Sequence, residues 1–104
     1  MSLPVNINPI NVSVSSSGEN TAIAGVSGRH IRVYAIALTL ASAGTVTFKD
    51  GAGGSTLGAF QGVTQIVLDP IIDNDRYTCS IGNAFIVNLS SGISCTGTIW
   101  YTQS

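Results

Sequence analysis

Arg29-His30-Ile31-Arg32-Val33-Tyr34-Ala35-Ile36-Ala37-Leu38-Thr39-Leu40-Ala41 is the stretch whose reading decides the fold. No helical period is sustained here or elsewhere in the chain; alternation dominates, and alternation is the signature of strands. At a period of two, Ile31, Val33, Ala35 and Ala37 face one way, while Tyr34, Ile36, Leu38 and Leu40 face the other. Both faces are apolar, so the strand is expected to be covered on both sides: by the core on one, and by a second sheet, a loop or another subunit on the other. The alanines imply that whatever covers their face comes close.

Working outward, Ser42-Ala43-Gly44 reads as a turn into a strand over 45–49, with Val46 and Phe48 pointing inward. Asp50-Gly51-Ala52-Gly53-Gly54 reads as a hairpin loop, from which 55–60 returns. Gln61-Gly62 leads into a strand over 63–68, and Asp69-Pro70 ends it. A loop over 71–75 precedes a strand over 76–81. Gly82-Asn83 turns the chain into 84–89, where Phe85, Val87 and Leu89 share a face, and Ser90-Ser91-Gly92 turns it into a last strand over 93–102. Towards the N-terminus, Val5 and Ile7 lie on one parity and Ile10, Val12 and Val14 on the other, with Pro9 at the change. Proline donates no ladder hydrogen bond, so this slip predicts a bulge, or an arm leaving the body at Pro9. A polar loop over 15–20 and a short strand over 21–26 complete the chain. About eight strands with tight turns predict an all-β, single-domain antiparallel β-sandwich, jelly-roll-like. Residues 1–9 read as an N-terminal arm contacting a neighbouring subunit, and 10–104 as the sandwich domain.

A chain of 104 residues buries a core without disulfide or metal staples. Only 9% of its residues are charged, against roughly 25% in an ordinary soluble domain. Ser, Thr, Asn and Gly take the place of the missing charge, and a surface so poor in charge suits coverage by neighbouring subunits. Arg29, Arg32, Lys49 and Arg76 are too scattered to form a basic stripe, which argues against nucleic acid. The absence of a basic amphipathic segment or a long apolar run argues against a membrane. Met-Ser-Leu-Pro-Val-Asn has neither a basic nor an apolar leader region, so the chain is expected to be soluble and made in the cytoplasm. Cys79 and Cys95 read as small buried residues of strands, with a disulfide as the alternative.

Candidate chemistry is sparse. His30, the one histidine, lies between Arg29 and Arg32 without any nucleophile elbow, and reads as a polar rim residue rather than a catalytic base. Asp69, Asp73 and Asp75 could hold calcium, but their spacing fits no EF-hand loop and a capped turn explains them more simply. The glycines of 51–54 lack the Lys-Ser/Thr and helix of a phosphate loop. No catalytic, cofactor-binding or metal residue is therefore assigned. Trp100 and Tyr101, adjacent on a strand, must point to opposite faces, so one large aromatic is expected outside the core. Such a ring suits a protein interface or, alternatively, a sugar. Val5, Ile7, Tyr34, Trp100 and Tyr101 are the candidate interface residues.

Several segments resemble small β-sandwich virion proteins of tailed bacteriophages. They are Ile31-Arg32-Val33-Tyr34-Ala35-Ile36; Gly44-Thr45-Val46-Thr47-Phe48-Lys49-Asp50-Gly51; Gly82-Asn83-Ala84-Phe85-Ile86-Val87-Asn88-Leu89-Ser90; and Gly97-Thr98-Ile99-Trp100-Tyr101. The resemblance spans about Arg29 to Tyr101 and implies a capsid decoration (cement) protein, a homo-oligomer and often a trimer, bound to the major capsid protein in the virion. It brings no catalytic or metal residue. A carbohydrate-binding jelly-roll module on a head fibre or tail is the alternative it leaves.

Overall fold

The computed structural model describes residues 7–70 and 75–104. They form seven strands: β1 (Asn8–Val14), β2 (Gly18–Ile23), β3 (Ile31–Asp50), β4 (Ser55–Leu68), β5 (Tyr77–Thr78), β6 (Phe85–Leu89) and β7 (Cys95–Gln103). Every pairing is antiparallel, and no helix occurs among the described residues. The expected all-β class is what the chain adopts. The strands form one curled, hydrogen-bonded sheet in the order β1-β7-β3-β6-β2, with β4 and β5 also paired to β3.

β3 organises the sheet. It runs 20 residues without a break, so the expected turn at Ser42-Ala43-Gly44 does not form. Its first half lies between β7 on one side and β5 and the end of β4 on the other. Its second half has exchanged β7 for β6 and keeps the start of β4. Ala41 donates its N–H to Ser94 O at 2.9 Å, and Thr45 O accepts from Ser90 N, which carries the strand through the exchange. β4 is continuous in the same way where a break at Gln61-Gly62 was expected. Its register against β3 shifts instead, and Gly62, at φ +62°, sits at the offset. These two continuities each merge two expected strands into one, and the chain has seven strands where about eight were expected; β5 is only two residues long rather than 76–81. β2 begins at Gly18, inside the segment read as a polar loop, and ends at Ile23.

The reading of β3 as two apolar faces also changes. Its register against β7 slips between Val33 and Ala35, leaving Tyr34 as the bulged residue. A one-residue bulge reverses the alternation beyond it. Ile31 and Val33 before the bulge, and Ile36, Leu38 and Leu40 after it, therefore enter one core. That core also takes Val12, Ile23, Val46, Phe48, Ile66, Phe85, Val87, Leu89 and Ile99, so every long strand contributes to the same apolar interior. At its centre the Phe48 ring stands 5.4 Å from Phe85, 5.7 Å from Tyr77 and 5.8 Å from Phe60, between centroids.

The change of parity at Pro9 has a simple cause. β1 pairs with β7 one-to-one from Asn8↔Tyr101 to Val14↔Cys95, without a bulge, and Pro9 sits inside this ladder. Val12 is buried in the core, with Ile10 and Val14 packed against it, so Pro9, Asn11 and Ser13 face outward. Ile7 shares that outward parity. The apolar residue ahead of Pro9 thus belongs to the other face of the sheet.

Polar contacts pin the loops. Asp50, ending β3, accepts from the Ser80 N–H at 2.9 Å, the Ser80 hydroxyl at 2.8 Å and the Asn83 amide at 3.0 Å. Burial alone would raise the Asp50 carboxyl, but these donors outweigh it and hold it below the ordinary carboxylate range. A depressed native value means that stability is present above the unfolded value and is lost as pH falls through the native one. Asp50→Ala is expected to cost about 1–3 kcal/mol at pH 7, with a penalty that shrinks below about pH 4. Urea denaturation of both proteins across that range measures it.

A candidate interaction face

The strand registers place residues of four strands in rows across the outward side of the sheet. Pro9, Trp100 and Ala35 form one row, Asn11, Thr98, Ala37 and Val67 the next, and Ser13, Thr96, Thr39 and Gln65 the third. None of these residues is charged. Nor does any strand of β1, β4, β6 or β7 contain an Asp, Glu, Lys or Arg. Among the described residues, the charged ones sit at strand ends and loops, or in β2 and β3. One ion pair occurs among the described residues, Lys49 Nζ to Glu19 Oε2 at 2.7 Å. Glu19 also accepts the Gly53 N–H, tying β2 to the β3–β4 hairpin tip.

At one end of this face lies an open depression of about 320 Å³. Ala35 and Ala37 make its floor, and their methyl groups leave the space. Trp100 and Ile7 stand on the β7 and β1 side, Val67, Asp69 and Pro70 on the β4 side, and Tyr34 lines it from the bulge. The bulge brings both Tyr34 (7% exposed) and Ala35 (8%) to the depression, whereas Val67 remains 55% exposed on its rim. An exposed branched aliphatic thus stands beside a partly exposed tryptophan, with no charge in the lining but Asp69 at the edge.

Of the residues expected at an interface, Ile7, Tyr34 and Trp100 converge on this depression from three strand regions. Tyr101 lies on the opposite face, partly buried against the core, so the two adjacent rings do point opposite ways. Val5 falls outside the described residues. The sequence reading did not single out Val67, Pro70 or the individual role of Ala35 and Ala37. The alanine parity was the available signal, and only the β3–β4 register shows what stands beside it.

The remaining polar candidates have structural roles. His30 Nδ1 lies 2.8 Å from Cys79 O, and the backbone groups of His30 and Ser104 bond to each other in both directions. Asp75 accepts from the Thr78 hydroxyl, and Arg76 Nε donates to Asp69 O at 2.8 Å. Asp73 lies outside the described residues. Among the described residues no three potential ligands come together for a metal ion. The glycine loop is the β3–β4 hairpin tip.

Cys79 and Cys95 are both buried and free, not bonded to each other. Burial, then the charge of Asp50, pushes the Cys79 thiol up to about 12; burial also raises Cys95. Since the thiolate is the reactive form, neither is expected to react with a thiol reagent at pH 8 in the native protein. Both should react once denaturant is added, which a colorimetric thiol titration reads directly.

Comparison with known proteins finds no match: no family model, no curated protein and no solved structure matches the chain.

Proposed function

We propose that this protein is a virion structural component of a tailed bacteriophage, of the capsid decoration or cement type, acting as a homo-oligomer on the capsid surface. The observation that carries the reading is the set of three uncharged rows across β1, β7, β3 and β4, with the alanine-floored depression at their end. A protein that works by adhesion needs a rigid scaffold and a surface whose binding does not depend on salt. Threonine and alanine rows on a sheet, with no charged side chain within them, support such a role. The segments resembling phage sandwich proteins are the support for a virion role, and the uncharged rows are the support for action by adhesion.

Light scattering on the purified chain tests the oligomeric part. A closed oligomer that persists at micromolar concentration and in 1 M salt is the expected result; a monomer under those conditions overturns it. Val67→Arg changes an exposed side chain, so it should dissociate the oligomer while leaving the unfolding midpoint nearly unchanged. A sugar-binding module is the second reading, favoured by Trp100 lying near Asp69 at the same depression. The otherwise apolar lining argues against it, and a glycan array decides it.

A further inference from the structure

We propose that the free edge of β4, at Val63-Thr64-Gln65-Ile66-Val67-Leu68, pairs antiparallel with the same stretch of a second copy of this chain, continuing the sheet across a two-fold axis; this rests on the oligomeric reading above. The kind of occupant follows from what a strand edge is. β4 spans 14 residues and pairs with β3 on one side, and among the described residues no strand is hydrogen-bonded along its other side. Every second residue of such a strand turns its backbone N–H and C=O outward, at a spacing that another extended backbone matches.

The order β1-β7-β3-β6-β2 leaves β1 and β2 as the two ends of the sheet, and each carries a feature that discourages strand addition. β1 holds Pro9, which has no N–H to give. β2 is six residues long, holds the ion-paired Glu19 and shifts register between Thr21 and Ile23. β4 has neither proline nor charge. Register shifts interrupt it around Gly62 and again opposite Phe48 and Lys49, whereas Gln65 to Leu68 runs in unbroken register with Thr39 to Ile36. Val63, Thr64, Ile66 and Val67 are β-branched, and 63–68 contains no glycine, a composition that favours strand pairing.

Two features select a second copy of the same segment over a foreign strand. The segment is uncharged, so laying it beside itself opposes no like charges. Asp69, next along the chain, stays clear of its counterpart, because antiparallel pairing sends the two to opposite ends of the contact. A two-fold axis normal to the sheet also keeps the outward face outward, so residues of like parity stand opposite each other. Gln65 and the exposed Val67 share a parity and lie in the uncharged rows beside Thr39 and Ala37. With Ile66 on the axis, Gln65 of each copy falls opposite Val67 of the other, and the rows run on into the second subunit.

Amide hydrogen exchange, read residue by residue by NMR on the full chain, tests the backbone pairing directly. The expected result is slow exchange in the oligomer at the amides of 63–68 that are not bonded to β3, and fast exchange at the same amides in a dissociated Gln65→Lys variant. Gln65 is exposed, and its replacement sets two lysines near the axis. The concentration of half-dissociation should rise about 10-fold or more at low salt, less in 1 M salt, with an unchanged unfolding midpoint for the separated subunit. Light scattering should give an even number of subunits, since the contact is between identical surfaces. Fast exchange at those amides within an intact oligomer, or an oligomer of three subunits, overturns the β4 contact and leaves the oligomeric reading standing. So does a Gln65→Lys chain that associates as tightly as the unmodified one. A monomeric unmodified chain overturns both.

Discussion

Phe48→Ala should lower the unfolding free energy by about 3–5 kcal/mol, the cost of deleting a buried aromatic ring and leaving a void. The position makes the upper part of that range the expectation. Phe48 is fully buried, stacks on Phe85 at an interplanar angle of 24° and meets Phe60 nearly edge-on at 65°. Its neighbours come from β4, β5 and β6, whose backbones are held by β3 and cannot close around the gap. Against a total stability of about 5–15 kcal/mol for a natural domain, such a loss takes up much of the margin. Urea denaturation followed by tryptophan fluorescence measures it, and a shift of under about 1 kcal/mol would mean that the aromatic cluster is not the centre of the core.

Gly97→Ala is expected to be comparably damaging, although it adds one methyl group. A Cβ at Gly97 would stand 1.9 Å from Ala37 O and 2.9 Å from Leu38 Cα. Both are backbone atoms of the paired strand, so no side-chain rotation relieves the overlap. Gly97 is opposite Val12 on one side and Leu38 on the other, in the middle of the β1-β7-β3 ladder. Accommodation requires β7 to part from β3, and a loss of at least about 3 kcal/mol is expected, at the upper end for a single substitution. Thermal unfolding reads it. Ala37 also floors the depression, so the surviving folded fraction should show weakened self-association as well.

Alternation made the all-β class legible, because the residues entering the core obey a period of two between irregularities. The irregularities themselves were not legible as such. Ser42-Ala43-Gly44 and Gln61-Gly62 have the composition of turns, yet the chain runs straight through both; small residues and glycine serve bulges as readily as turns. Which one forms is decided by partners distant in sequence, here Ser94 and Ser90. The bulge at Tyr34 had no compositional mark at all, so a single core-facing row looked like two apolar faces. At Pro9 the residues signalled a change of face correctly, but a bulge was the wrong mechanism for it. The candidate site shows the same division. Trp100, Tyr34 and Ile7 were each visible as apolar side chains in need of cover, but their convergence depends on the β1–β7–β3 register, which no local pattern encodes.

β3 belongs to both halves of the sheet, bonded to β7 along its first half and to β6 along its second. Neither half can therefore melt while the other stays folded, because each needs the same strand held straight. Slow hydrogen exchange should accordingly reach one common protection level in β3, β6 and β7, rather than two plateaus. Mechanically, a pull applied at either end of β3 is borne along a single uninterrupted strand that is bonded to neighbours over its whole length.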